Sequence, residues 1–600
     1  MKKLYYLWMV LCAAFFVACE PPIVEPPEPE PGPDPVDTGE VYVPKTEWEL
    51  ADSLYTIADY AVPSHTAFKI AQKACADNPT EENLEVMRQK IKELQPKETP
   101  YCMVATINGD PATQMGFVWF TNEGVEQGEV QLVAKADATE DDFKGAVITV
   151  PAEPKTTKGI RYTGQAAYIV QKTGIKYNVK YTYVSHKALA QGLNPGTEYS
   201  WRVGFDGHWS DIAQFRTKDA SQGEYSFIYM SDSHIENQEY IDNARRCALS
   251  AVATVPEAKF CVFPGDFVED GSTVNSEWEW ERWFMEALEP VVKKMAIVPT
   301  DGNHDDSDNL NYTYHFNTNN AFNEFCGPKP RPQFEGITYT FEYGDVLFLV
   351  YSMQDFWRWS YKYEDLSSIY LDNYVGPWLT QQVAEHPNTK YRVTLSHFNH
   401  FSGSDHSIDE DPPIFRHCLL PVFKNIEVDV ALQGHDHTYE VIGPVNLDDC
   451  TPILSAISDR EEVSIDKEKN ITGYKNGTYV VDDGPLYFIG ATCGRKRYYP
   501  HSRERMESDY TEDPVKLKDG NHHNVKNYFD LFTGMFGQPG APSFTKVTVK
   551  SDCLEFNSYI AGVNGSATLI NTMKIMRTKP HSVPKTNEMP ARSYLFRNRK

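Results

Sequence analysis

Basic residues are scarce in this chain: 57 Lys and Arg stand against 84 Asp and Glu, a net charge of −27 over 600 residues. So acidic a molecule repels polyanions, which disfavours nucleic acid as a partner and requires any anionic substrate to be captured by local positive charge. Long apolar runs are also missing, except at the very start, which excludes a polytopic membrane protein. The 11 cysteines contain no CxxC pair, and disulfides are permitted rather than demanded. What is there is a globular composition, 41% hydrophobic and 13% aromatic. At about 150 residues per domain it supplies several folded units.

Residues 1–19 read as a processing segment, with Lys2 and Lys3 ahead of an apolar stretch that ends in small residues. Phe16-Val17-Ala18-Cys19 resembles a bacterial lipobox, in which the Cys is lipidated, although Leu is usual where Phe16 stands. The resemblance implies a lipid anchor on Cys19 and a location in the bacterial cell envelope, facing the periplasm or the cell surface. Residues 20–45 are a Pro-rich, acidic linker that opens EPPIVEPPEPEPGPDPVD, a composition that stays extended and coreless.

Residues 46–97 have helical periodicity: Trp48, Leu50, Leu54 and Ile57 suggest one helix. Asn78-Pro79 followed by Leu84, Met87, Ile91 and Leu94 suggests another. Over 98–219 the period changes to two, with strand candidates at Gly116–Thr121, Val130–Ala134 and Ile175–Val184, which reads as an all-β sandwich of about a hundred residues. The run Leu193-Asn194-Pro195-Gly196-Thr197-Glu198-Tyr199 resembles the late strands of the fibronectin-III-like domain that precedes purple acid phosphatase catalytic domains. From 222 to 580 short apolar strands each end in chemically capable residues, as in YSFIYMSDSH, KFCVFPGD, MAIVPTDGNHD, YRVTLSH and VDVALQGHDH. Strands alternating with crossovers predict an α/β sheet whose ligand site lies beyond the carboxyl ends of the strands. The stretch from Ser543 to Arg577 is expected to close that domain as β structure, and 581–600 is a tail.

Five blocks occur in order: Asp232-Ser233-His234, Gly265-Asp266, Gly302-Asn303-His304-Asp305, His397, and Gly434-His435-Asp436-His437. Each alone is ordinary, since a lone Asp-x-His is usually a capped turn and a lone His a hydrogen-bonded residue. Together, at strand ends, they supply the ligand types of borderline divalent metals. The blocks resemble the calcineurin-like metallophosphoesterases, with purple acid phosphatases as relatives sharing the flanking sandwich. The fold this implies is a metallophosphoesterase β-sandwich flanked by helices, behind the fibronectin-III-like sandwich and the short helical segment.

The resemblance implies two divalent ions, of zinc, manganese or iron. One would be held by Asp232, His234, Asp266 and His437, the other by Asp266, Asn303, His397 and His435. Asp266 would bridge them, its two oxygens suiting ions about 3.5 to 4 Å apart. Two dications facing only two carboxylates keep positive charge for a phosphate oxygen and for ionising water. The expected activity is hydrolysis of phosphoesters by a hydroxide bridging the two ions. His304 would then serve as general acid or phosphate stabiliser, and Asp305 would orient its ring. His315, His400 and His406, near the blocks in sequence, are candidates for the pocket wall. Two features depart from purple acid phosphatases, which have Gly where His234 stands and a ligating Tyr where this chain has Glu269. Without that tyrosinate the centre should be colourless and divalent. Two alternatives remain: a lipid or other phosphodiesterase of the same superfamily, or a surface-tethered binding protein with a vestigial metal site that uses aromatics such as Trp357 and Trp359.

Overall fold

The computed structural model describes residues 99–122, 124–156, 183–219, 223–269, 276–305, 310–328, 331–354, 366–409, 411–466, 471–502 and 528–585. It also describes a few single positions and scattered residues between Ala71 and Gln89. The leader with Cys19, the linker, most of the 46–97 segment, Trp357 and Trp359, and the end of the tail lie outside the described residues. In the second expected helix, Glu81–Asn83 are helical and the Thr80 hydroxyl, rather than Asn78, accepts the Asn83 N–H at 3.2 Å.

Two large sheets face each other. One orders the strands Tyr225–Tyr229, Phe260–Pro264 and Ala296–Thr300 side by side and parallel, with Ser543–Val549, Leu554–Ala561 and Ala567–Met576 added antiparallel beyond Tyr225–Tyr229. The stretch read as one closing element is thus three strands, broken by the turns at 550–553 and 562–566. The other sheet runs Val346–Val350, Tyr391–Leu395, Val430–Gln433 and Leu486–Gly490 in parallel. Each of these parallel strands is buried along its whole length. This burial explains why they read as unbroken apolar runs without alternation. Between the sheets, Phe227, Phe260, Phe348 and Phe488 belong to one apolar core, with Phe227 and Phe260 stacked at 5.1 Å and Phe227 edge-on to Phe348 at 5.5 Å. The helix Gln238–Thr254 buries Ile241, Ala244, Cys247, Ala248 and Ala251, and the Asn237 side chain caps it by accepting from the N–H groups of Glu239 and Tyr240.

The N-terminal β region is joined to this framework rather than hung from it. Tyr101–Thr106 pairs parallel with Ala296–Thr300 through Thr106 and Ile297, so Gln114–Asn122 and Tyr183–Gln191 extend the first sheet. Its other layer, Glu129–Val133 with Glu198–Phe205 and Ala213–Arg216, closes over Phe117, whose ring lies 4.9 Å from Trp201 and 5.7 Å from Phe215. Asn317 stitches the two regions: its amide donates to the Ala188 carbonyl at 2.8 Å, and its own backbone carbonyl accepts from the Thr106 hydroxyl at 2.6 Å. Among the described cysteines no disulfide forms.

Candidate metal centre

The five blocks sit where the strands Tyr225–Tyr229, Phe260–Pro264, Ala296–Thr300, Tyr391–Leu395 and Val430–Gln433 end, and their backbones bend sharply there. Asp232, His234, Asp266 and His435 all have positive φ, at 58°, 46°, 52° and 72°. A non-glycine residue held there costs about 1–3 kcal/mol, and such residues persist only where the surroundings over-determine them. Here the loops bind one another: the N–H of Asp232 donates to the Gly265 carbonyl, that of His234 to the Asp266 carbonyl, and that of Gly434 to the His397 carbonyl. Glycine permits close approach at several of these turns, Gly302 and Gly434 among them. A Cβ on Gly302 would lie 2.2 Å from Asp266 Oδ1, and one on Gly434 would lie 2.5 Å from Ser231 Oγ and 2.9 Å from Asp232 Oδ2.

Asp266 is the hub. Its Oδ2 lies 3.2 Å from His234 Nε2 and 3.2 Å from His397 Nε2, while Oδ1 accepts the backbone N–H of His304 at 2.9 Å. One oxygen, not two, therefore faces both neighbouring groups. On one side, Asp232, His234, Asp266 and His437 are buried and bring their donor atoms within 4.8 Å of one another. There His234 Nε2 and His437 Nε2 stand 3.0 Å apart. On the other side are Asp266, His397 and His435, with Asn303 Oδ1 at 3.0 Å from His397 Nε2.

Electrostatics divides the four rings into two pairs. Burial acts to lower His234 and His397, but Asp266 beside both, and Glu269 beside His234, raise each to about 9. His435 and His437 are pulled down instead, His437 to about 4, by burial and, for His435, by the neighbouring rings His406 and His397. The carboxylates thus call for cations between them, and His435 and His437 offer neutral lone pairs. Nδ1 of His437 is buried without a partner among the described residues. This mixed imidazole, carboxylate and amide donor set fits divalent ions of the zinc, manganese and iron(II) kind.

Several side chains stand differently from expectation. The Asp305 carboxylate does not touch the His304 ring: it is buried and accepts the N–H groups of Asp266, Phe267, Val268 and Gly302 at 2.7–3.3 Å. Although adjacent to His304 in sequence, it turns inward and holds the hub's own loop, so its role as ring orienter is corrected. Glu269 takes that place. Its carbonyl lies 2.7 Å from His304 Nδ1, and its carboxylate is 2.6 Å from His234 Nδ1 and 3.7 Å from His304 Nδ1. Despite its burial, His234, His304 and Lys496 hold Glu269 down at about 2. Of the three further histidines, His315 stacks on Trp280 at 4.4 Å and His400 is bound by Gln433, both in the core. His406 stacks on His435 at 3.8 Å with Nδ1 on Asp409 at 2.7 Å, at the edge of the site.

Sequence reasoning missed the segment Gly494–Tyr498. Lys496 Nζ lies 3.2 Å from Glu269 Oε1, and the Tyr498 ring stacks flat on His437 at 4.3 Å. Burial and the carboxylates around it raise the Tyr498 hydroxyl, which keeps it a neutral phenol. The signal available was the basic run Arg495-Lys496-Arg497 just beyond an apolar strand in an otherwise acidic chain.

Residues 225–439 match the family model of calcineurin-like phosphoesterases, and residues 100–217 match that of the purple acid phosphatase N-terminal domain. In sequence the chain is thus similar to calcineurin-like phosphoesterases over the stretch that carries the five blocks, and to the purple acid phosphatase N-terminal domain over the β region before it. Among curated proteins it is 22% identical over 292 residues to "Probable inactive purple acid phosphatase 1" of Arabidopsis thaliana, covering 44% of this chain and 45% of that one. It is also 22% identical over 324 residues to an uncharacterized protein of Mycobacterium tuberculosis, covering 50% of this chain and 60% of the relative. The chain thus spans about half the length of the curated relatives it matches. The structure of the purple acid phosphatase PPD1 from yellow lupin seeds superposes with a TM-score of 0.52 at 13% identity, covering 80% of this chain and 75% of that one, a likeness of fold.

Proposed function

We propose that this protein hydrolyses phosphoesters at a two-metal centre, with Asp232, His234, Asp266 and His437 as ligands on one side and Asp266, Asn303, His397 and His435 on the other. The observation that carries the reading is the position of Asp266 Oδ2, 3.2 Å from an imidazole of each group. Divalent ions bound there supply the positive charge that draws a phosphate oxygen and acidifies water. The residues do the rest. His304 is half-buried, and a proton on Nδ1 given to the Glu269 carbonyl leaves Nε2 free to exchange a proton with the leaving oxygen. Glu269 also receives the Nδ1 proton of His234 and so fixes which nitrogen of that ring faces Asp266. Asp305 keeps the Asp266 loop from relaxing. His406, against His435, lines the edge that substrate crosses.

A binding protein with a vestigial centre is the competing reading, and the complete donor set weighs against it. The deciding experiment is metal analysis of the purified protein together with hydrolysis of matched phosphomonoester and phosphodiester test substrates. Absence of both metal and turnover overturns the proposal. Anchoring in the bacterial cell envelope through Cys19 belongs to the same proposal and rests on the Phe16–Cys19 motif. Cys19→Ser is expected to move the protein from membrane to soluble fractions with its hydrolysis intact, and unchanged membrane association would remove the anchor.

A further inference from the structure

Gln538 follows the short strand Met535–Gly537 and is buried. Its side-chain amide donates to two carbonyls far apart in sequence, that of His437 at 2.9 Å and that of Tyr498 at 2.7 Å, and its oxygen accepts the N–H of Gly540 at 3.0 Å. The backbones of His437 and Tyr498 therefore start side by side. Their rings then lie flat on one another, with centroids 4.3 Å apart and 6° between the planes. His437 runs from this origin into the centre, because its outermost nitrogen, Nε2, is the one 3.0 Å from His234 Nε2 and 3.5 Å from Asp232 Oδ1. Tyr498 leaves from beside it, lies parallel to it and is the longer side chain, so its hydroxyl is carried to the level of the donor atoms.

The surroundings hold the ring there. Its edge meets the ring of His406 at 5.4 Å and 72°, and His406 in turn stacks on His435 of the other group. The backbone that follows is tied to the loop ahead of His406: the Ser404 hydroxyl donates to the Tyr499 carbonyl at 3.2 Å, and the His501 N–H donates to the Gly403 carbonyl at 2.8 Å. After burial, the groups that act most on the Tyr498 hydroxyl are the carboxylates of Asp266, Asp436, Asp232 and Asp405, two of them donors of the centre.

A tyrosine held this firmly still leaves its hydroxyl unused. It makes no hydrogen bond to a described residue, and it is not sealed from solvent. A ring needed only to pack on His437 has no use for it, since phenylalanine offers the same face. A phenol can donate one hydrogen bond to an oxyanion while adding no charge of its own, and such bonds to a charged acceptor are the strong ones.

We propose that the Tyr498 hydroxyl donates a hydrogen bond to a phosphate oxygen of the substrate at the centre. Tyr498 is then a substrate-contacting residue on the His437 flank, as His304 is beside His234. This deepens the phosphoesterase reading and rests on it.

The test compares the full-length, metal-loaded wild type with Tyr498→Phe, which keeps the ring and loses only the hydroxyl. Phenyl phosphate serves as the ester, and calorimetric titration with inorganic phosphate gives a readout without turnover. Both metals should stay bound by elemental analysis, and kcat/KM should fall about 10- to 100-fold, the worth of one hydrogen bond to a charged group. A fall in phosphate affinity alongside it places the contact in the bound state as well, and a fall in kcat/KM alone places it in the transition state. An unchanged kcat/KM shows that the ring only packs and overturns the proposal. So does a fall that comes with loss of metal, which would assign the hydroxyl to holding the ligands. If the wild type hydrolyses no phosphoester, the phosphoesterase reading fails, and phosphate affinity alone decides the contact: weaker binding by Tyr498→Phe supports it, and equal binding or none overturns it.

Discussion

The two groups that meet at Asp266 differ in charge and in what stands behind them. On one side Asp232 brings a second carboxylate, and His234 is braced from behind by the Glu269 carboxylate at 2.6 Å, itself paired with Lys496. On the other side Asp266 is joined by the amide of Asn303 and the rings of His397 and His435, with no second carboxylate in the group and with His397 Nδ1 resting on the Pro264 carbonyl at 2.7 Å. A carboxylate behind an imidazole makes it a stronger ligand than a carbonyl does. With two divalent ions bound as proposed, the side with two carboxylates would retain its ion and the side with one would exchange its own more readily.

The severest way to break this contrast is to remove what both sides share. Asp266→Asn should take away the common anion, reduce bound metal to less than one equivalent and bring hydrolysis to background. Two metals and full turnover in that variant, read by elemental analysis and a phosphate-release assay, would sink the two-metal reading. Next in size, His304→Ala should leave both metals bound and lower turnover by about 10²- to 10⁴-fold, with the greater loss on substrates that have a poor leaving group. A uniform loss across leaving groups would assign His304 a structural part.

Glu269→Gln sharpens the contrast itself. It should weaken one metal equivalent by about 10- to 100-fold, as outer partners of metal ligands do, and leave the other unchanged. Equal weakening of both would show that the sides are coupled through Asp266 and not separately tuned. A slow titration of the loaded protein with chelator should remove the ions in two phases, and a single phase would contradict the asymmetry. The smallest effect is optical. With Glu269 where purple acid phosphatases have a tyrosine, and Tyr498 lying flat on His437 as a neutral phenol, the protein should show no strong visible band.

The framework and the donors were legible along the chain before any folding was considered. Five buried parallel strands read as apolar runs, and each delivered its Asp, Asn or His within a few residues of its end, because strand burial and the turn that follows are local properties. Local sequence could not decide which group a side chain meets. Asp305 follows His304 directly, yet its carboxylate turns to the backbone of the Asp266 loop, while Glu269, 35 residues earlier, takes the ring. Lys496 meets Glu269 across 227 residues, and Arg495 beside it meets Glu239 across 256. The N-terminal β region likewise looked separate until Thr106 paired with Ile297 and made its strands part of the larger sheet. Such partnerships depend on how the two sheets pack and on which loops their twist brings over one another. Only the folded chain sets these, and with them the tuning of the centre.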